Sequence, residues 1–144
     1  MAGLILAVNS GSSSLKVSVF RLTSPQGLVL VDTPDSNANP VVLISASSIT
    51  SIFSSPKFSF YVSGHSSLRH TKKGDALGVR DHATAFAHVL DNIKNGANIN
   101  TADVLYVCHR IVHGGDFQEP VVLNKDTYRH IEHLSDLAPL YARP

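Results

Sequence analysis

A chain of 144 residues, 43% apolar and 16% charged, is long enough for one soluble globular domain. At this size a domain buries about two-thirds of its unfolded surface. The net charge of +1 comes from 12 basic and 11 acidic residues and excludes the broad positive field that nucleic acid or an acidic membrane would select. No apolar run approaches the roughly 18 residues of a membrane span. The N-terminus lacks the basic flank of a secretory signal, and Ala2 stands where a myristoylation pattern needs glycine. The lone Cys108 excludes an intramolecular disulfide and agrees with a reducing compartment, so a cytoplasmic protein is expected.

The first two apolar runs, Leu4 to Val8 and Val17 to Phe20, read as short buried strands. Between them lies a polar turn from Asn9 to Lys16. Ser10, Ser12, Ser13 and Ser14 carry hydroxyls that donate to phosphate oxygens, as exposed backbone N–H groups do. Gly11 permits unusual backbone geometry and a close approach to the main chain. Lys16 adds a positive point charge, and the Asn9 side-chain oxygen suits a hydrated Mg²⁺ ion. Composition alone leaves a second reading open, that of an ordinary solvated hairpin turn. Two better-known phosphate motifs are absent. Leu15 occupies the second glycine position of G-x-x-x-x-G-K-[ST], and Gly11 is the only glycine where G-x-G-x-x-G needs three.

Ser24 to Gly27 reads as a turn, and Leu28 to Val31 as a third strand that extends a meander. Residues 33–56 are expected to be irregular or an insertion, since Ser, Asn, Pro and Thr dominate there. Their apolar members, Val41 to Ile44, Ile49, Ile52 and Phe53, dock in a conformation that the pattern does not distinguish. Phe58 to Val62 reads as a strand, Ser67 to His70 as its partner across Gly64, and Lys72 to Asp75 as a turn. Asp81 caps a helix over 82–95, with Gly96 as the stop. Phe86, Val89, Leu90 and Ile93 share its apolar face; His88, Asp91, Asn92 and Lys94 are expected to meet water. That helix reads as scaffold with no chemical role. Val104 to Cys108 is expected to be a buried strand enclosing an inert thiol.

Arg110 then follows at the carboxyl end of a strand, where open α/β sheets place ligands. Its planar fork suits a carboxylate or a phosphate, although from the residues alone a structural ion pair is the preferred explanation. Gly114 and Gly115 allow a sharp turn beside a substrate. His109 and His113 are four apart, but on a segment leaving a strand and without the glutamate of a zincin. With eight histidines at no regular ligand spacing, a zinc site is not expected. Pro120 to Leu123 reads as a short strand. Asn124 or Asp126 caps a last helix carrying Tyr128, Ile131 and Leu134. The order of elements predicts an α/β fold, a mixed sheet with an N-terminal β-meander and flanking helices.

Two long stretches resemble signatures of the acetate kinase family: Asn9-Ser-Gly-Ser-Ser-Ser-Leu-Lys16 and His109-Arg-Ile-Val-His-Gly-Gly-Asp116. Leu137-Ala-Pro-Leu140 resembles a third landmark. The resemblance implies a partial ribonuclease-H-like lobe of the actin and sugar-kinase type, with residues 1–144 forming an incomplete N-terminal lobe. It implies reversible, ATP-dependent phosphorylation of acetate to acetyl phosphate, with Mg²⁺ as cofactor, ADP as product and a homodimer in the full-length family. It places Ser10, Gly11, Ser12, Ser13, Ser14 and Lys16 on the ATP phosphates, Asn9 on the metal and Arg110 on the substrate carboxylate. The family's catalytic aspartate, a second substrate arginine, a histidine that steadies the phosphoryl group and the adenine pocket lie beyond Pro144. No catalytic residue is therefore assigned. Tyr141-Ala-Arg-Pro144 stands where the family typically has His-Asn-Pro, so a truncated form is expected, inactive alone and prone to fold poorly. Two alternatives stay open: a non-catalytic nucleotide-binding or interaction remnant, and a piece of a propionate or butyrate kinase. The phosphate donor or acceptor could also be pyrophosphate or phosphate, which the two motifs do not decide.

Overall fold

The computed structural model describes residues 3–23, 41–63, 70–111 and 115–137. Two compact units divide the chain at Arg110. The first holds β1 (Leu4–Ser10), β2 (Leu15–Leu22), β3 (Val41–Thr50), β4 (Lys57–Val62), β5 (His70–Asp75), α1 (His82–Gly96) and β6 (Val104–Arg110). The strand expected at Leu28 to Val31, the Gly64 turn with Ser67 to Arg69, and the landmark's Ala138 to Leu140 lie outside the described residues.

The six strands form one sheet in the order β5-β4-β3-β2-β1-β6. Strands β1 to β5 pair antiparallel with their sequence neighbours. β6 instead runs parallel to β1, and a parallel partner requires a crossover, which α1 supplies. Side chains alternate between the faces of a strand, and apolar residues at every second position therefore gather on one face. Leu15, Val17 and Val19 of β2 are buried, joined by Leu4, Leu6 and Val8 of β1, Ile49 of β3 and Phe60 of β4. Ala85, Val89 and Ile93 of α1, spaced by four, close over them. Phe86 and Leu90 lie beside that stripe and line an open apolar cleft with Leu6, Val104 and Val107.

Four local expectations are corrected. Within 33–56, Val41–Thr50 is a regular ten-residue strand. Its serines disguise it: Ser45 and Ser47 are buried, small enough to sit beneath the helix. Lys72 to Asp75 belongs to β5 rather than to a turn. Pairing with β4 and the Lys57–Asp75 ion pair hold this polar segment extended, and charge on an edge strand discourages further pairing. Cys108 is exposed, because β6 is an edge of the sheet among the described residues. His88 does not simply face water. Its ring meets Phe58 edge-on at 5.1 Å, and its Nε2 is buried with no hydrogen-bond partner among the described residues.

Helix α1 starts at a capping box. The Asp81 carboxylate accepts from the Thr84 backbone N–H at 2.7 Å and from the Thr84 hydroxyl at 2.7 Å. The Thr84 hydroxyl in turn accepts from the Asp81 N–H at 3.1 Å. The hydroxyl and then the backbone bond from Thr84 hold the Asp81 carboxyl below the usual carboxylate range. A carboxyl depressed by folding stabilises above its unfolded pKa of about 4, and that stabilisation is lost as pH falls through the folded value. Asp81→Asn keeps an acceptor that does not titrate. Thermal melts from pH 7 to pH 2.5 are therefore expected to show a shallower acid limb for this variant than for the wild type.

The helix ends differently from the expectation. Gly96 is its last residue, Ala97 caps it, and Asn98 takes the left-handed conformation at φ 51°. Gly96 serves packing instead, since a Cβ there would stand 2.5 Å from the buried Phe60 ring. Gly96→Ala is expected to destabilise by about 1–3 kcal/mol through overpacking, despite alanine's better helix propensity. Urea unfolding measures this.

In the second unit, Asn124 caps α2 (Lys125–Leu137), its side chain accepting from the N–H groups of Asp126 and Thr127 at 2.9 and 3.0 Å. His130 meets Phe117 edge-on at 5.0 Å. Residues 120–124 pair with no strand among the described residues, so the short strand expected there does not form. Gly115 turns the chain at φ 59°.

Candidate functional site

The Ser10 and Leu15 pair closes the β1–β2 hairpin, leaving Gly11 to Ser14 as its loop. Three hydrogen bonds hold this loop. The Gly11 N–H donates to the Ser14 carbonyl at 2.8 Å. The Ile52 N–H, from the β3–β4 connection, donates to the Ser13 carbonyl at 3.1 Å. The His82 Nε2, at the first turn of α1, lies 2.7 Å from the Gly11 carbonyl and donates to it. The Gly11 and Ser13 carbonyls are thereby tied to α1 and to the β3–β4 connection, and the Ser14 carbonyl to the loop's own Gly11 N–H. Among the described residues, the N–H groups of Ser12, Ser13 and Ser14 donate no hydrogen bond. A loop whose acceptors are tied back and whose donors are free favours an anion.

Gly11 does not adopt a left-handed conformation, contrary to the expectation of unusual geometry. Its role is close approach: a Cβ there would meet the Ser14 Oγ at 2.8 Å.

Register decides what stands beside the loop. Asn9 pairs with Lys16 across β2 and with Arg110 across β6. Residues directly opposite on neighbouring strands share a face. Lys16, Asn9 and Arg110 thus form one transverse row on the sheet face opposite α1, at the loop end of β1. Two strand spacings separate the Cα atoms of Lys16 and Arg110, about 10 Å. Lys16 and Arg110 are exposed and Asn9 is half-buried. The row continues through Ser48 and Ser59, whose hydroxyls are 2.8 Å apart, to Lys73. It contains three cations and no carboxylate. An anion lying over Asn9 would be within reach of both flanking cations.

Two contributors escaped the sequence reading. The Ile52 amide and His82 both support the loop, yet nothing local to residues 52 or 82 signals it. His113 and Gly114 lie outside the described residues.

The model of the Acetokinase family matches residues 4–144. The chain belongs to the acetokinase family. A protein of Emericella nidulans described as a probable acetate kinase is 33% identical over 138 residues, covering 95% of this chain and 29% of its own length. The acetate kinase of Anoxybacillus flavithermus is 32% identical over 139 residues, covering 95% of this chain and 30% of its own. Among solved structures, Porphyromonas gingivalis acetate kinase superposes with a TM-score of 0.67 at 21% identity, over 97% of this chain and 31% of that one. A propionate kinase from Francisella tularensis gives 0.63 at 22%, over 96% and 30%. These two likenesses concern the fold: a mixed α/β lobe of the actin-like type, as expected. The chain spans about 30% of the length of the acetokinase relatives that it matches.

Proposed function

We propose that this chain is the phosphate-cradling and carboxylate-holding part of an acetate kinase, which moves the γ-phosphoryl group of ATP to acetate. The row of Lys16, Asn9 and Arg110 beside a loop with free N–H donors carries this reading.

In the reaction an acetate oxygen attacks the γ-phosphorus. A new C–O–P linkage forms, the bond to the β,γ-bridging oxygen breaks, and ADP leaves with the electron pair. No proton need move, because acetate attacks as the anion. Such transfer is governed by positioning and charge stabilisation. The loop amides, the hydroxyls of Ser10, Ser12, Ser13 and Ser14, and Lys16 bind the phosphate end. Arg110 orients the carboxylate with its planar fork. Asn9 suits a cation carried in on the nucleotide's own phosphates, since the row offers neutral oxygens and no carboxylate cage. Bound Mg²⁺ would neutralise and align the β- and γ-phosphates.

Catalysis in this reading also needs the remaining length of the relatives, so the 144-residue chain binds nucleotide but transfers no phosphoryl group by itself. Calorimetric titration with magnesium-ATP is expected to show binding that added tripolyphosphate competes away. A hydroxamate assay with acetate is expected to stay at background. Absence of any nucleotide or polyphosphate binding overturns the reading. Acetyl phosphate formed at an ordinary enzymatic rate overturns the inactivity. The same titration with acetate, propionate and butyrate tests the acyl size.

A further inference from the structure

Helix α1 contributes to the loop as well as to the core. We infer that His82 is a positioning residue, a latch that orients the Gly11–Ser12 peptide so that its N–H faces the anion. A trans peptide is planar, and its C=O and N–H point in opposite directions. His82 donates from Nε2 to the Gly11 carbonyl at 2.7 Å, and this contact thereby directs the Ser12 N–H away from α1. The Ile52 N–H holds the Ser13 carbonyl at 3.1 Å and orients the Ser14 N–H in the same way. Two independent anchors therefore set two donors, one from a side chain and one from backbone.

The His82 ring is itself held. It caps no helix end, since Asp81 does that, and the Phe53 ring meets it at 5.6 Å and 60°. A carbonyl only accepts, so Nε2 carries the proton in either the neutral or the charged ring. The inference rests on the phosphate reading for its ligand, but the latch itself is measurable without one.

The test uses the full chain with His82→Gln, which keeps a donor near the Nε2 position, and His82→Phe, which keeps the ring but no donor. Backbone ¹⁵N relaxation reads the loop. In the wild type and His82→Gln the Ser12 amide order parameter is expected near the rigid value of about 0.85, and in His82→Phe to fall toward about 0.6. The Ser14 amide, anchored by Ile52, is expected to stay unchanged in all three. Affinity for tripolyphosphate is expected to drop about 3–10-fold in His82→Phe, the scale of one neutral hydrogen bond, with recovery in His82→Gln. An unchanged Ser12 amide in His82→Phe overturns the latch. So does parallel loosening of Ser12, Ser14 and the β2 core, which marks general destabilisation. If the wild type binds no polyphosphate while the Ser12 amide still responds, the latch stands and the phosphate reading fails.

Discussion

Lys16→Ala is expected to weaken magnesium-ATP binding by about 10–100-fold while the unfolding midpoint moves little. A hydrogen bond to a charged group is worth about 1.5–3 kcal/mol, and each 1.4 kcal/mol is about tenfold in affinity. The side chain is exposed on the face opposite α1, so its removal leaves no cavity. Surface truncations of that kind stay within about 0.5 kcal/mol of stability. Lys16→Arg is expected to recover part of the affinity, since it keeps the charge but presents a planar fork where a compact ammonium stood. Calorimetric titration at fixed ionic strength, paired with a thermal melt, separates the two quantities. Unchanged affinity in Lys16→Ala would mean that the nucleotide phosphates do not lie along this row.

Ile49→Ala is expected to cost about 2–5 kcal/mol of folding stability. Typical domains have only about 5–15 kcal/mol in total, so this single change consumes a large share. Ile49 is 0% exposed and stands in register between Leu15 of β2 and Phe58 of β4. Three strands lose packing when its side chain is removed. Ile52, at 1% exposure and just downstream, holds the Ser13 carbonyl through its amide. A loosened β3 end therefore also loosens the β1–β2 loop. Urea unfolding is expected to show a lower midpoint at an unchanged slope. The neighbour Thr50 is exposed, and Thr50→Ala is expected to stay within about 0.5 kcal/mol. Equal losses at both positions would refute this account of the core.

Glycines show how far a local signal carries. The sequence marks Gly11 and Gly96 as conformational devices, yet neither adopts a left-handed backbone. Each has something close by instead: the Ser14 hydroxyl, which can rotate away, in one case, and the buried Phe60 ring in the other. Phe60 is 36 positions from Gly96, so no window of local sequence contains that requirement. Cys108 is misread for a related reason. An apolar run signals a strand, but whether that strand lies inside the sheet or at its edge depends on which partners flank it.

By itself the sequence determined the pieces whose physics is local. An unbroken apolar run set β1, an alternating one set β2, Asp81 started α1, and the polar stretch after Asn9 was legible as the loop joining β1 to β2. Arg110 was legible as standing just past a strand, and β6 runs on to include it. Tertiary structure decided the rest. It turned a serine-rich stretch into β3 and a lysine-rich one into β5, because their backbone groups find partners in the neighbouring strands. It also set Lys16, Asn9 and Arg110 in one row, and brought His82 to a carbonyl 71 residues away. Strand register depends on pairing across the sheet, and pairing is a property of two segments at once. A single segment read in order holds only half of that information.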